Sequence, residues 1–254
     1  IQFSFVKYSW AFPLAGAGNF VYYGNGNIDE MERDIHAMNI FDILGPIMVG
    51  PSSSHTAGAV RIGKVARALL GTSPRRAFIT LHGSFAATGS GHGTDKALIA
   101  GLLGMNPDDM RIPDSEVLAG KAGMEYHFFT KNIRGAHPNT AILQIDDGRE
   151  RRIHVQASSI GGGRICVNEI DGIQVDFSAE SPTLIVNNED RPGHLAAVTS
   201  ILAKADINIA TLTLNRGKRG GKAIFVAETD LDIPECAVEA IRGVPGVLKV
   251  TYLN

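Results

Sequence analysis

The stretch TLIVNNEDRPGHLAAVTSILAKADINIATL (183–212) decides how the C-terminal part of the chain folds. Thr183–Asn187 is an apolar run of strand length, and Asp190-Arg191-Pro192-Gly193 carries the residues of a tight turn. Leu195–Ala205 then shows helical spacing, and Ile207–Asn215 reads as a second strand. Further on, a basic glycine turn at Gly217–Gly221 leads to a strand at Ala223–Thr229. Pro234 opens a second helix through Arg242, and Val247–Leu253 closes the series. The order is βαββαβ, which predicts an antiparallel four-stranded sheet with both helices on one face, the ferredoxin-like plan.

Upstream of Ser181-Pro182 the pattern is α/β (more narrowly α+β). Ala57–Leu70 is helical by its apolar face of Val60, Val65, Ala66, Leu69 and Leu70, with Ser54 or Thr56 to cap it and Gly71 to end it. Ala77–Leu81 reads as a buried strand and Gly83–Gly93 as a glycine-rich loop. Thr94 or Asp95 caps a further helix through Leu103. Strands follow at Thr140–Ile145, Ile153–Ser158 and Arg164–Ile170, the last entered by the turn Gly161-Gly162-Gly163. The predicted domains are 38–180 and 181–254, preceded by an unassigned extension at 1–37. That extension holds Phe3, Phe5, Tyr8, Trp10, Phe12, Phe20, Tyr22 and Tyr23, lacks the basic start and small-residue cleavage site of a signal peptide, and precedes a plausible initiator, Met38.

Composition excludes several classes of function. The 24 Lys and Arg nearly cancel the 26 Asp and Glu, which leaves no electrostatic reason to bind nucleic acid or an anionic membrane. No run of eighteen apolar residues exists to span a bilayer. Cys166 and Cys236 are far apart with no CxxC spacing, so they hold neither a metal nor a disulfide framework and suit a reducing, cytoplasmic setting.

Two constellations carry chemistry. Gly50-Pro51-Ser52-Ser53-Ser54-His55-Thr56-Ala57-Gly58 ends at a helix start, where bare N–H groups and the positive end of the helix dipole suit a carboxylate. On spacing alone, a hydroxyl-rich cap with a surface histidine is the simpler account. In His137-Pro138-Asn139-Thr140 the proline biases His137 to an extended conformation and Asn139 offers a donor and an acceptor, although a plain turn before a strand also fits. For His92 and Asp95, a tight loop packing the next helix is simpler than a wall of a site. Gly161–Gly163 reads equally as a turn or as a close backbone approach. His36, His82, His127 and His154 join no constellation.

Taken together, GPSSSHTAG (50–58), GSFAATGSGHGTDKA (83–97), HPNT (137–140) and SIGGG (159–163) resemble, in this order, the iron–sulfur-dependent L-serine dehydratases. The resemblance covers roughly residues 38–178, and the chain from Met38 looks like the beta subunit of the two-chain form. It implies that L-serine loses its α-proton and β-hydroxyl, and that the resulting enamine hydrolyses to pyruvate and ammonia. It also implies a [4Fe–4S] cluster acting as Lewis acid on the hydroxyl. This chain lacks the cysteines, so the cluster is expected on a partner alpha subunit; no pyridoxal-phosphate motif is recognisable. By that resemblance His55 and His137 become the acid–base candidates. Asn139, in the same catalytic set, would hold the substrate's carboxylate and ammonium together with Ser52, Ser53 and Ser54, and Thr56 is a further substrate contact.

Residues 183–254 resemble an ACT domain through DRPGHL (190–195) and INIATL (207–212). That family implies self-association and, commonly, an amino acid held between two copies, with Asn188, Asp190, Gly193, His194, Asn208 and Ile209 as candidates; some members only pair their sheets edge to edge, so a purely dimerising domain also fits. The rival reading is a purely regulatory serine-binding module, similar to the C-terminal part of D-3-phosphoglycerate dehydrogenase. A pure sensor, however, has no need for GPSSSHT and HPNT together.

Overall fold

The computed structural model describes residues 47–254; the assignments made for 1–37 and Met38 lie outside the described residues. Five elements build the helical layer of the first half. A wide π-type turn at Ser53–Gly58 runs directly into α1 (Ala59–Leu70). α2 (Gly83–His92), α3 (Thr94–Leu102) and α4 (Ser115–Lys121) follow. Six strands form one sheet: β1 (Arg76–Leu81), β2 (Glu125–Thr130), β3 (Thr140–Asp146), β4 (Arg152–Gly161), β5 (Arg164–Ile170) and β6 (Ile173–Phe177). Their spatial order is β2-β1-β3-β4-β5-β6, and β1–β2 is the parallel pair. Ile79, Leu143, Val155 and Val167 face the helices from successive strands and are fully buried with Leu69, Leu98 and Leu102.

α1 and α3 cross backbone against backbone. A Cβ built on Gly63 would lie 2.9 Å from the Leu102 nitrogen, and one on Gly101 2.8 Å from the Lys64 nitrogen. The two glycines are therefore a packing requirement. α1 ends at Gly71, whose φ of 82° is the left-handed conformation that suits a helix end.

Several expectations need correction. The helix starts earlier than Ala57, and its cap is Ser52, which accepts from the His55 N–H, rather than Ser54 or Thr56. Gly83–Gly93 is α2 and not a loop. Its cost in backbone entropy is offset by complete burial of Phe85 and by docking of its first N–H groups, Ser84 and Phe85, on the Pro138 carbonyl. Only Gly93 breaks the helix, with φ 70°, so it precedes α3 in place of a side-chain cap. α4, β2 and β6 were not foreseen. For β6 the signal exists: Asp171-Gly172 between two alternating runs, with φ 50° and 81°, is the turn chemistry of a two-residue hairpin, and Ile170 pairs with Ile173.

The second half matches the ferredoxin-like reading closely. β7 (Thr183–Glu189), α5 (His194–Lys204), β8 (Ile209–Arg216), β9 (Lys222–Thr229), α6 (Glu235–Arg242) and β10 (Val247–Leu253) give a sheet of order β10-β7-β9-β8 in which every pair is antiparallel. Leu184, Val186, Phe225 and Ala227 pack with Val198, Leu202, Val238 and Ile241 of the two helices. The alternate residues Ile185, Ile224 and Val226 join the core of the first half. The inner strands β7 and β9 are thus buried on both faces, one against the two helices and one against the first half, while β8 stays largely exposed.

Candidate active site

His55 sits in the π-turn with its ring between three hydroxyls. Nδ1 lies 3.4 Å from Ser52 Oγ, and Nε2 lies 3.1 Å from both Ser84 Oγ and Thr88 Oγ1. The Thr88 hydroxyl donates to the Ser84 carbonyl at 2.9 Å, so its oxygen meets Nε2 as an acceptor. That geometry assigns the ring proton to Nε2 and the lone pair to Nδ1. Phe85 packs edge-on to the imidazole at 5.3 Å, and the His92 ring stands 5.1 Å away. Burial, together with the neighbouring His92, lowers the His55 pKa below its ordinary value, against a smaller upward pull from the Ser84 backbone. A histidine held neutral in this way can accept a proton near pH 7.

The other motifs converge on the same corner. The N–H of Ser84 donates to the Pro138 carbonyl at 2.8 Å, so the helix that touches His55 also rests on HPNT. A Cβ at Gly83 would lie 2.5 Å from that carbonyl, in a backbone of φ 56°. Asn139 exchanges bonds with Ser159: its carbonyl accepts from the Ser159 N–H at 2.9 Å, and its Nδ2 reaches the Ser159 carbonyl at 3.5 Å. Ser159 in turn seats against Gly58, where a Cβ would come within 2.7 Å of the Ser159 Cβ. Gly161, Gly162 and Gly163 all have positive φ and turn β4 into β5, and Arg61 of α1 donates to the Gly163 carbonyl at 3.0 Å. All four sequence motifs therefore adjoin.

Not every candidate faces open space. His137 is exposed at the rim, with Nδ1 accepting from the Asn139 N–H at 3.1 Å, and reaches the His55 cluster only through Pro138 and Ser84. Ser53 and Ser54 are half-buried in the π-turn. Thr56 is buried beneath Gly50. The oxygens Thr56 Oγ1, Asn139 Oδ1 and Ser159 Oγ are buried without a hydrogen-bond partner, an arrangement normally explained by a group that completes it. Ser84 and Thr88 are neighbours that sequence reading missed, and His92, weighed there as a possible wall of a site, stands beside them. Their i, i+4, i+8 spacing would place them on one face, but only once α2 is seen to be a helix.

The described residues do not fit an iron–sulfur cluster. No group of three or more His, Cys, Asp or Glu converges among them. Cys166 is held as a thiol, its pKa pushed up to about 12 by burial and by Asp176, whose Oδ1 lies 3.0 Å from the sulfur. Cys236 stands exposed on α6.

A pocket of about 160 Å³ opens between the start of α5 and the end of β8. Asn188, Asp190, Gly193 and His194 line it, with Leu214 and Phe225 as its apolar floor. His194 Nδ1 donates to the Glu189 carbonyl at 2.7 Å, and Asn188 Nδ2 lies 3.3 Å from the same ring nitrogen. The Asp190 carboxylate is engaged by the Gly220 N–H and by Arg216, which lower its pKa. Asn208 and Ile209 are elsewhere. β7 and β8 both run antiparallel to β9, so the start of β8 lies at the end of the sheet away from the pocket, where Asn208 donates to Asp230 at 2.6 Å.

Comparison with known proteins accounts for both halves. The serine dehydratase beta chain family matches residues 39–125, and the ACT domain matches 183–246. The probable L-serine dehydratase beta chain of Bacillus subtilis (strain 168) is 39% identical over 215 residues, spanning 85% of this chain and 97% of that one. The chain belongs to the L-serine dehydratase beta-chain family. The beta chain of Peptoniphilus asaccharolyticus L-serine dehydratase is also 39% identical, over 84% of this beta chain and 97% of its own length. The L-serine dehydratase of Helicobacter pylori (strain ATCC 700392 / 26695) is 30% identical over 85% of this beta chain, which covers 53% of it. The D-3-phosphoglycerate dehydrogenase of Bacillus subtilis (strain 168) is 26% identical over 63% of this beta chain, which covers 30% of it. No helix among the described residues of the beta chain is long and apolar enough to cross a membrane.

Proposed function

We propose that this beta chain is the serine-handling half of a cytoplasmic L-serine ammonia-lyase, and that its iron–sulfur cluster is carried by a separate alpha subunit. The observation that carries the reading is His55. It is a half-buried imidazole held between hydroxyls at the meeting point of four motifs, with His92 against it. The reaction removes the α-proton and the β-hydroxyl of L-serine as water. Aminoacrylate remains, tautomerises to the imine, and takes up water to give pyruvate and ammonia. In this reading His55 holds or moves a proton through Nδ1, and Ser52, Ser53 and Ser54 orient the carboxylate and ammonium. Exposed His137 forms the rim, with Asn139 behind it against Ser159.

Departure of hydroxide requires a Lewis acid or a proton, and the described residues of this chain offer no donor set for the former. The Helicobacter relative extends well past the region matched here, which is consistent with a second part joined in one chain there. Anaerobic iron and sulfide analysis tests the division of labour. The isolated chain should bind no stoichiometric iron and form no pyruvate from L-serine, and both should appear with a cluster-bearing partner. Stoichiometric iron on the chain alone would contradict the reading.

The ACT half is proposed to pair with its copy and to sense an amino acid in the Asn188–His194 pocket, where the first N–H groups of α5 favour a carboxylate. β8 is an edge strand with exposed Leu212 and Leu214. An antiparallel pairing of two such edges sets the start of one β8 beside the end of the other. That brings Asn208 and Ile209 of one copy to the pocket of its neighbour, as they are not within a single chain.

A further inference from the structure

α1 carries the candidate site at one end and is gripped at the other. Its 12 residues put Leu70 about 18 Å from the His55 turn, at a rise of about 1.5 Å per residue. The last carbonyls of a helix have no partner within it. Here they are met from the second half of the chain: Lys249 of β10 donates through Nζ to the Leu69 carbonyl, and more loosely to that of Leu70 at 3.4 Å. Arg151 donates to the Gly71 carbonyl at 3.3 Å.

A lysine normally keeps its ammonium in water. Lys249 has surrendered much of that hydration, which lowers its pKa, with Asp171 opposing the shift and Arg151 adding to it. Such a cation belongs at a helix C-terminus, where the dipole is negative. Sideways, α1 is held by the glycine crossing with α3. β10 is also tied to the Asn188–His194 pocket. Val247 pairs with Asn188, the Glu189 N–H donates to the Gly246 carbonyl at 2.9 Å, and a Cβ on Gly246 would collide with the His194 imidazole.

We propose that Lys249 is a positioning residue for the dehydration, anchoring the C-terminal end of α1 to the second sheet and thereby holding the turn that carries His55. The proposal rests on the reading of His55 given above.

Lys249→Met keeps the aliphatic stem and removes the donor, and Lys249→Arg keeps the charge. In the assembled enzyme, Lys249→Met should lower kcat for L-serine about tenfold with KM within about twofold, since small displacements far from the chemistry act on the reacting geometry. Amide hydrogen exchange in the full-length chain should quicken in the 53–58 turn as well as in the last turn of α1. Lys249→Arg should restore both. Unchanged kcat with faster exchange confined to the last turn would overturn the proposal, as would an arginine variant as impaired as methionine. Should Lys249→Met fail to fold, Lys249→Gln is read by the same two measurements and the same criteria. If His55→Ala turns over normally, the site reading fails, while the exchange pattern still reports on the anchor.

Discussion

Replacing His55 with alanine in the assembled enzyme should lower kcat for L-serine by at least about 10²-fold, the usual contribution of a positioned acid–base group. Its surroundings give that prediction a pH signature. Burial and His92 lower the His55 pKa, so the acid limb of kcat/KM should fall below the ordinary imidazole value of about 6.5. His92→Ala removes the neighbouring ring at 5.1 Å and should move that limb upward. Stability follows the same sign. The unfolded chain binds a proton at the ordinary value and the folded one only at lower pH, so this site costs stability as pH falls below about 6.5. An acid limb that ignores both substitutions, with near-normal kcat in His55→Ala, would move the chemistry onto the partner.

The second large effect concerns how the motifs are joined. Gly83→Ala places a methyl 2.5 Å from the Pro138 carbonyl and 2.8 Å from its Cα, on a backbone with φ 56°. Neither neighbour is a flexible side-chain tip, so α2 and HPNT must separate. The expected loss is about 1–3 kcal/mol of stability from overpacking and strain. Because Ser84 both contacts His55 and donates to Pro138, kcat should fall too, by about tenfold or more. Gly91→Ala in the same helix is the control. A Cβ there meets nothing within 4 Å, and alanine should stabilise the helix by about 0.5–1 kcal/mol. Thermal unfolding and turnover of the two variants should therefore diverge; parallel behaviour would show that α2 is not the bridge between the motifs.

The ACT half was legible because its strands and helices are long, periodic and separated by turn residues, and each element lies within a residue or two of its expected bounds. The hairpin at Asp171-Gly172 was equally legible in principle. α2 was not: glycines at 83, 89 and 91 speak against a helix, and what decides for one is tertiary, the burial of Phe85 and the docking on Pro138. With that helix hidden, Ser84, Thr88 and His92 could not be seen as one face turned to His55. β2 is a half-exposed edge strand, so its burial pattern lacks the clean alternation of a strand with one face in the core. In the ACT half, the distance between Asn208 and the pocket depends on β7 and β8 running the same way, which no local pattern shows.

The most direct test follows the ring-proton resonances of the histidines in the full-length chain as L-serine is added, with His55→Ala, His92→Ala and His194→Ala providing the assignments. If this chain handles the substrate where its motifs meet, L-serine shifts the His55 and His92 signals. A response confined to His194, with both of those signals unmoved at saturating L-serine, would leave the chain as a sensor and contradict the assignment of the active site.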